Sequence, residues 1–247
     1  MKAPVYDMIH RAEQGWWYRG RMAAAQAAFR RARVVPRGRA LDYGAGYGAM
    51  RAFFSGYAAV DALEVYPEAR TSCLTRDYEQ VFADEDELLA SPAKYACVGA
   101  FDVIEHIEDD ALFLERLTAK LEPGGILIVT VPAHPFLFGP YDEAAKHFRR
   151  YTKAELRQKL ADAGFEILWL SYWNMALFPI AALVRLVGSE SGGSLTPSAA
   201  VDRLLGWVLA CEALLLRLVA LPMGLSLVCV ARVGPGRRSG LKGDSAG

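Results

Sequence analysis

Short apolar runs alternate with segments of helical character along the first two thirds of the chain, and this alternation constrains the fold more than any other feature. The apolar runs lie at residues 40–43, 58–64, 80–83, 96–101 and 126–131. Helical patterns fill 48–56, 67–77 and 107–121, with a short turn near 85–90. Strands separated by helices form parallel sheets, and the nearly continuous fourth and fifth runs are typical of strands covered on both faces. We therefore expect an α/β fold.

The C-terminal half continues this pattern and then changes character. Thr152 and Glu155 form a capping-box pattern that begins a helix, Gly164 is suited to end it, and a strand is predicted at about 165–171. Two very apolar helical segments, about 174–187 and 200–220, precede a last strand at 225–233.

The expected organisation is one domain over residues 1–233. Residues 5–33 have helical character that Gly15 and Gly20 interrupt, so residues 1–37 are predicted to form a helical lid. Residues 174–222 are predicted to form an apolar helical insertion before the last strand. The Gly-, Arg- and Ser-rich tail, residues 234–247, is predicted to be disordered.

A glycine-rich loop with the sequence LDYGAGYG follows the first predicted strand at residues 41–48. Gly44 and Gly46 allow a tight turn and a close approach of the backbone to a ligand. A helix beginning near Gly48 would direct its free amide groups to the same place, at the carboxyl edge of the sheet. Gly44, Gly46 and Ala49 also satisfy the dinucleotide pattern GxGxxG/A, so the loop alone does not identify its ligand.

Two acidic residues narrow the choice of ligand. Glu64 lies about 20 residues beyond the loop, where a carboxylate can accept both hydroxyls of a ribose. Both NAD and S-adenosylmethionine (SAM) contain that ribose. Asp42 lies inside the loop, where it can pair with an amino group, which SAM has in its methionine part and NAD lacks. An acid there would instead repel the pyrophosphate of NAD, so a nicotinamide oxidoreductase is the weakest interpretation.

Three stretches resemble the motifs of the class I SAM-dependent methyltransferases, specifically the branch with the ubiquinone-biosynthesis O-methyltransferases. They are LDYGAGYG at 41–48, VGAFDVIEH at 98–106 and LEPGGILIV at 121–129, and they occur in the family's order and spacing. The resemblance covers roughly residues 38–170. It implies a Rossmann-like seven-stranded sheet of order 3-2-1-4-5-7-6 with an antiparallel last strand, and SAM as the methyl donor, released as S-adenosylhomocysteine.

The resemblance also assigns residues to the donor site. Asp42, Gly44, Ala45 and Gly46 would hold the methionine end of SAM, and Glu64 with Val65 would bind the ribose side. Asp84 matches the acid that contacts the adenine amine. Glu85 and Asp86 follow it directly, so the position of that acid within the three consecutive acids is ambiguous. Phe101 would line the site beside the methyl group. The N-terminal helix of related proteins closes over SAM, which makes Tyr18 and Arg21 donor contacts; the alternative is that the adjoining Trp16 and Trp17 only cover the sheet edge.

The catalytic candidates lie after the fourth and fifth strands. His147 could deprotonate a substrate hydroxyl with Asp142 as its orienting partner, or it could, with Arg150, only fix the loop. Asp102 and His106 are further candidates. Asp102, Glu105 and His106 would suit a divalent ion such as Mg²⁺, but Glu105 and His106 brace a strand end in the more frequent case, so no metal is expected.

Composition limits the partners. Lysine plus arginine and aspartate plus glutamate both number 28, and this zero net charge argues against a nucleic-acid partner. Four scattered cysteines, with no metal spacing, predict reduced thiols in a cytoplasmic protein. We expect no signal peptide. No stretch reaches the roughly 18–20 uncharged apolar residues of a membrane span, because Glu212 and Arg217 interrupt 204–223.

The apolar insertion must be buried somewhere, because the few polar residues of its second segment do not share one narrow face. The domain core or a homodimer interface is favoured, and a lipophilic acceptor or a peripheral membrane contact is the alternative. The predicted function is methyl transfer from SAM to a small molecule, at a hydroxyl oxygen. The alternatives are transfer to nitrogen or carbon and a SAM-binding scaffold or partner subunit that has lost catalysis.

Overall fold

The structure, a computed structural model, describes residues 15–186 and 198–234. The predictions for residues 5–14, for the end of the first apolar helical segment and for nearly all of the C-terminal tail lie outside these residues.

Seven strands form one sheet, and each corresponds to a predicted apolar run. They are β1 (Arg39–Tyr43), β2 (Ala59–Leu63), β3 (Val81–Phe82), β4 (Tyr95–Phe101), β5 (Leu121–Pro132), β6 (Phe165–Trp173) and β7 (Ser226–Val233). Their order is β3-β2-β1-β4-β5-β7-β6, and β7 runs antiparallel to both of its neighbours. The predicted Rossmann-like sheet of order 3-2-1-4-5-7-6 is confirmed. The carboxyl ends of β1, β2, β4 and β5 share one edge, where an open parallel sheet binds its ligands.

Helices cover both faces of the sheet. They are α1 (Trp16–Arg31), α2 (Pro67–Leu74), α3 (Glu85–Ala90), α4 (Asp110–Lys120), α5 (Pro140–Ala144), α6 (Lys153–Asp162), α7 (Phe178–Leu186) and α8 (Ala199–Leu216). Helix α6 begins with the predicted capping box, in which Thr152 and Glu155 bond each other's backbone amides. Gly164 follows its end at a φ of 89°, as expected for a helix-terminating glycine.

Two apolar layers form the core, one on each face of the sheet. Leu88, Leu114 and Leu156, from α3, α4 and α6, pack on the first face. Alanines of α1 and Leu209 of α8 pack on the second face. Strand β4 is buried at every position, because it lies in the middle of the sheet with helices on both sides.

Two local predictions are wrong. The helix expected at 48–56 is a turn followed by a four-residue 3₁₀ segment, Arg51–Phe54. No long helix therefore directs its N-terminus at the glycine loop. The break expected at Gly20 is also absent, since α1 runs through it. A Cβ at Gly20 would lie 2.2 Å from Leu209 Cδ1, so this glycine permits the close approach of α1 and α8.

The insertion between β6 and β7 contains α7 and α8. Glu212, an interruption in the apolar pattern, is buried in α8 and accepts hydrogen bonds from the backbone N–H groups of Asn174, Met175 and Ala176. The carboxylate thus satisfies amides that β6 leaves unpaired where it ends. Over the described ranges, no helix is long and apolar enough to cross a membrane.

Candidate active site

The glycine loop turns back against the end of β2. Gly44, Gly46 and Gly48 have φ values of 69°, 58° and 84°, a region that favours glycine. The N–H groups of Gly44 and Ala45 donate to the Leu63 carbonyl at 2.9 and 3.0 Å. These bonds hold the loop next to the residue that follows β2.

That residue is Glu64, and its carboxylate closes the loop. One oxygen accepts the Gly46 N–H at 2.7 Å, and the other accepts the Tyr66 N–H at 2.8 Å. Burial raises the pKa of Glu64, while these backbone bonds lower it in part. A carboxylate oxygen has two acceptor positions, so each oxygen retains capacity for a hydroxyl donor. This geometry fits a ribose diol beside the loop. Val65, the next residue, is exposed.

Asp42 is buried at the carboxyl end of β1. Its Oδ2 accepts the Tyr78 hydroxyl at 2.6 Å. Burial raises the Asp42 pKa to about 6, against the opposing effects of the Tyr78 hydrogen bond and the Arg21 charge. A buried carboxylate held in this state gains stability from a cationic ligand. The residues present therefore fit the ammonium group of SAM.

Arg21 connects the N-terminal helix to the end of β4. Its Nη1 donates to Asp102 Oδ2 at 2.9 Å and to the Phe101 carbonyl at 3.3 Å, and its guanidinium lies 4.4 Å from the centre of the Tyr18 ring. Asp102 has a φ of 57° and also accepts the Thr130 hydroxyl at 2.8 Å. The first turns of α1 thus form one wall of the site.

The remaining donor-site candidates have structural contacts of their own. Asp84 is exposed and caps α3, accepting the Glu87 N–H at 2.8 Å. Glu85 accepts the Tyr43 hydroxyl at 3.1 Å and pairs with Arg116. The Phe101 ring packs in the core, 5.4 Å from the centre of the Phe53 ring.

Three metal-capable side chains meet after β4. One ligand atom from each of Glu105, His106 and His147 lies within 4.8 Å of the others. The two imidazole rings are 4.6 Å apart and perpendicular. Asp102, which the sequence suggested as a member of this group, is instead engaged by Arg21 and Thr130. Its place is taken by His147, which is remote in sequence and is brought in because the Phe148 N–H donates to the Glu105 carbonyl at 2.7 Å.

Burial and proximity shift the pKa values of this cluster. Glu105 is fully buried, and neither of its carboxylate oxygens has a hydrogen-bond partner among the described residues. Burial, with the nearby Asp102 charge, raises the Glu105 pKa well above its ordinary value. Burial and His147 lower the His106 pKa to about 4. A buried carboxyl with two unsatisfied oxygens fits a cation or a hydroxyl donor.

His147 has a buried carboxylate behind it. Its Nδ1 lies 2.8 Å from Asp142 Oδ1, which confirms the expected contact. Asp142 also accepts from Arg150 Nε at 2.9 Å and from the Gly139 N–H at 3.1 Å. Arg150 in turn donates to the Ala133 carbonyl just past β5. This arrangement orients the imidazole and leaves its Nε2 for a substrate or an ion.

The glycine loop and the two acids Asp42 and Glu64 lie together at the carboxyl edge of the sheet, and their geometry fits SAM. The sequence profile of the family described as "Methyltransferase domain" matches residues 17–170, more than half of the chain. The chain belongs to this methyltransferase family. The match extends from α1 to β6 and covers every candidate site residue.

Known proteins agree with this membership. A probable S-adenosylmethionine-dependent methyltransferase of Mycolicibacterium smegmatis is 31% identical over 136 residues, 53% of this chain and 51% of the relative. The chain thus matches about half the length of that curated relative. Among solved structures, a putative methyltransferase in complex with the Trm112 activator of Haloferax volcanii has a TM-score of 0.59 at 18% identity, with 92% of this chain and 94% of that chain covered.

A SAM-dependent methyltransferase from Clostridium acetobutylicum has a TM-score of 0.55 at 10% identity, with coverage of 94% of this chain and 97% of that chain. At such identities these structures establish the fold, which is that of the class I SAM-dependent methyltransferases. The identity of the methyl acceptor depends on the residues of this chain.

Two residues of the site carry no signal in the sequence. Tyr78 lies in the loop between α2 and β3, outside every motif, yet it contacts Asp42. Thr130 is one of several residues of the apolar fifth run and gives no indication that it meets Asp102. The first contact joins the loop before β3 to β1, and the second joins β5 to the residue that follows β4, so both depend on the strand order. Only the partnership of His147 with Asp142 could be read from sequence, because the two are close along the chain.

Proposed function

We propose that this protein transfers the methyl group of SAM to a hydroxyl oxygen of a small-molecule acceptor. The observation that carries the proposal is the His147–Asp142 pair at the carboxyl edge of the sheet that also presents Asp42 and Glu64. Transfer to a hydroxyl also agrees with the resemblance of the motifs to the ubiquinone-biosynthesis branch, whose acceptors are hydroxyls.

Donor binding is assigned to the loop and its acids. Asp42 pairs with the ammonium group, the loop residues 44–46 accommodate the methionine part, and Glu64 accepts the ribose hydroxyls. Arg21 and Tyr18 close the site from α1. As the family resemblance implies, Val65 is retained beside Glu64 on the ribose side, Asp84 and Glu85 on the adenine side, and Phe101 beside the methyl group.

The chemistry of the hydroxyl is assigned to His147. SAM supplies an activated methyl group on a positively charged sulfur. A hydroxyl nucleophile arrives protonated, and the His147 Nε2 accepts that proton as the oxygen attacks. Asp142 fixes the tautomer by accepting from Nδ1, and it stabilises the imidazolium once it forms. Arg150 balances the Asp142 charge in a buried setting. Asp102 and His106 are assigned to positioning the acceptor.

A second use of the cluster is metal binding. Glu105, His106 and His147 offer one oxygen and two nitrogen donors, and the unsatisfied Glu105 oxygens suit a divalent ion. Such an ion would lower the pKa of a coordinated hydroxyl. Base catalysis by His147 needs no metal, so magnesium is not part of the primary proposal.

The acceptor is proposed to be lipophilic, because apolar side chains flank the site. Phe136 and Phe138 are exposed in the loop that follows β5, and α7 packs on that loop. We propose that residues 1–233 act as one cytoplasmic domain. An amine or carbon acceptor is the alternative; it would not need the His147 base. A scaffold without catalysis is the other alternative, and it would bind SAM without transfer.

Calorimetric titration of SAM and S-adenosylhomocysteine tests the donor site. We expect micromolar binding that Asp42→Ala abolishes and that a chelator leaves unchanged. A chelator-sensitive affinity would favour the metal alternative. Binding of neither ligand would contradict the proposal.

Transfer is then assayed with radiolabelled SAM and prenylated phenols, lipid-linked sugars or their amine analogues. Product from the hydroxyl compounds alone supports oxygen transfer, and product from the amines alone favours the nitrogen alternative. SAM binding with no transfer to any of these compounds would favour the scaffold.

A further inference from the structure

The outer face of α8 is apolar over its whole length and is exposed. Leu204, Trp207, Cys211, Leu214 and Leu218 follow one another at intervals of three or four residues, which places them on one side of the helix and of the turn that continues it. Trp207 and Leu218 are 67% and 72% exposed. The opposite side of the helix, with Leu209, Ala213 and Leu216, is buried against the core. Helix α8 is therefore apolar on both sides but buried on only one.

The exposed face continues past the helix. Val219 and Met223 are also exposed in the turn that leads to β7. The residues that precede α7 lie beside the C-terminal turns of α8, because Glu212 accepts hydrogen bonds from the amides of residues 174–176. Ile180 and Leu183 of α7 are exposed as well. Soluble monomers rarely expose so many large apolar side chains on one helix and the turn that follows it, so this surface requires an occupant.

The charged residues of α8 indicate which kind of partner binds this exposed face. Its two carboxylates are not available, because Glu212 is buried and Asp202 pairs with Arg19 at 2.5 Å. The remaining charged residues, Arg203 and Arg217, are exposed. They are two heptads apart and so lie along the same edge of the apolar stripe. The face thus combines leucines, one exposed tryptophan and arginines, with no free carboxylate.

A second copy of this chain is a poor partner for such a face. In an antiparallel pairing of two α8 helices about Ala210, Arg203 of one copy would face residue 217 of the other, which is also arginine. In a parallel pairing each arginine would face its own counterpart. Both arrangements bring like charges together at the rim of an apolar contact. An anionic surface instead pairs with both arginines at once.

We infer that the outer face of α8, from residue 201 to Met223, binds the surface of an anionic phospholipid bilayer. Trp207 and the leucines enter the boundary between head groups and acyl chains, and Arg203 and Arg217 contact the phosphates. The helix lies in the plane of the surface and does not cross it. The inference does not rest on methyl transfer, because it concerns only this face. It would place the protein at a membrane surface, where a lipophilic acceptor is concentrated.

Sedimentation with vesicles tests this directly. The purified full-length protein is mixed with vesicles of phosphatidylcholine or of phosphatidylcholine with phosphatidylglycerol, and the bound fraction is measured at low and high salt. We expect binding to the phosphatidylglycerol vesicles that weakens with salt. Trp207→Glu and Leu214→Glu should each lower the partition coefficient about tenfold or more. Leu74→Glu, at a residue 66% exposed on α2, is the matched control and should leave binding unchanged.

Three results would overturn the inference. One is the absence of binding to either vesicle type. Another is binding that Trp207→Glu and Leu74→Glu weaken equally, since the face would then have no special role. The third is a dimer in sedimentation velocity that Trp207→Glu converts to a monomer, without vesicle binding, which would make the face an interface between copies. Folding of each variant is checked by its thermal transition, and SAM affinity serves as an independent measure of the intact site.

Discussion

Two buried aspartates on adjacent strands show how surroundings decide the role of a residue. Asp61 of β2 accepts from Arg39 and from the Tyr95 hydroxyl, each at 2.8 Å, so its charge is compensated within the fold. Asp42 of β1 has one hydroxyl donor at hydrogen-bond distance and a raised pKa. The first carboxylate stabilises the structure, whereas the second is the one we propose to pair with the ammonium group of SAM.

Substitution of Asp42 should therefore separate stability from binding. Its pKa rises from 3.8 to about 6 in the folded state, which corresponds to a penalty of roughly 3 kcal/mol at neutral pH. We expect Asp42→Asn to raise the free energy of unfolding in denaturant by on the order of 1 to 3 kcal/mol, while SAM binding is lost in calorimetry. Asp61→Asn is the matched control: it should lower stability and leave SAM affinity unchanged. A destabilised Asp42→Asn would contradict the argument.

The same raised pKa predicts a pH dependence of donor binding. In the folded protein the Asp42 carboxyl keeps its proton up to about pH 6, whereas in the unfolded chain it loses the proton at its lower, ordinary pKa. The contribution of Asp42 to the free energy of unfolding therefore falls as pH rises between these two pKa values and is constant above about pH 6. The ammonium group of SAM needs the ionised carboxylate. The Kd of SAM should therefore rise about tenfold for each pH unit below about 6. Calorimetry in this range should also show that binding releases a proton. A Kd that does not change over this range would exclude Asp42 as the ammonium partner.

His147 is the residue on which the proposed transfer to oxygen depends. With a hydroxyl acceptor, we expect His147→Gln to lower kcat by about 10²–10⁴, with the Kd of SAM unchanged. Asp142→Asn should lower kcat as well, because the imidazole loses its orienting carboxylate. His134→Gln is the control, since His134 bonds the Gly224 carbonyl at 3.0 Å and stacks on Tyr172. Full activity in His147→Gln would assign the reaction to an acceptor that needs no base.

At the scale of the elements, two carboxylates add polar contacts to the apolar packing that holds α8 in place. Glu212 accepts three consecutive backbone amides where β6 ends, and Asp202 at the start of the same helix accepts the Trp16 N–H and pairs with Arg19 of α1. These contacts join the insertion to the N-terminal helix. The two carboxylates of the otherwise apolar segment 200–220 thus anchor it to the rest of the fold.

Removal of the Glu212 carboxylate should destabilise this anchor. We expect Glu212→Leu to lower the free energy of unfolding by about 3 kcal/mol or more, because three buried N–H groups lose their acceptor. Glu212→Gln keeps one acceptor oxygen and should lose less. Chemical denaturation measures both, and a Glu212→Leu variant as stable as the wild type would show that water satisfies these amides.

At the scale of the whole molecule, the site draws on elements from distant parts of the chain. Helix α1 supplies Arg21, β1 supplies Asp42, the end of β2 supplies Glu64, and the segment after β5 supplies His147. A ligand that contacts all four residues should raise the free energy of unfolding of the whole domain rather than stabilise a single element.

Ligand-induced stabilisation measures this coupling. At a SAM concentration about 100 times its Kd, the free energy of unfolding should rise by about 2.7 kcal/mol, seen as a higher Tm in calorimetry. S-adenosylhomocysteine should act in the same way. Asp42→Ala should remove the shift, and Leu74→Glu should keep it. A Tm that rises equally in Asp42→Ala would place the ligand elsewhere.

The sequence alone predicts the seven strands and the glycine loop, and it singles out Asp42 and Glu64 by their positions in and after that loop. The order of the strands is what the family resemblance implies. The strands and the loop follow from local patterns, because apolar periodicity sets strands and helices and because a glycine at positive φ follows from the turn it makes. The capping box at Thr152 and the pairing of His147 with Asp142 are local for the same reason. The exception is the helix expected at 48–56, where tertiary packing left only a 3₁₀ turn.

Only the tertiary structure decided which distant residues meet. It separated Asp102 from Glu105 and His106 by pairing it with Arg21, and it brought His147 to them through a loop contact. It gave Gly20 a packing role against Leu209 in place of the predicted helix break, and it buried Glu212 while exposing Trp207 of the same helix. Hydrophobicity does not specify such outcomes, because burial of a side chain depends on which element covers it, and that is fixed by the packing of the whole chain.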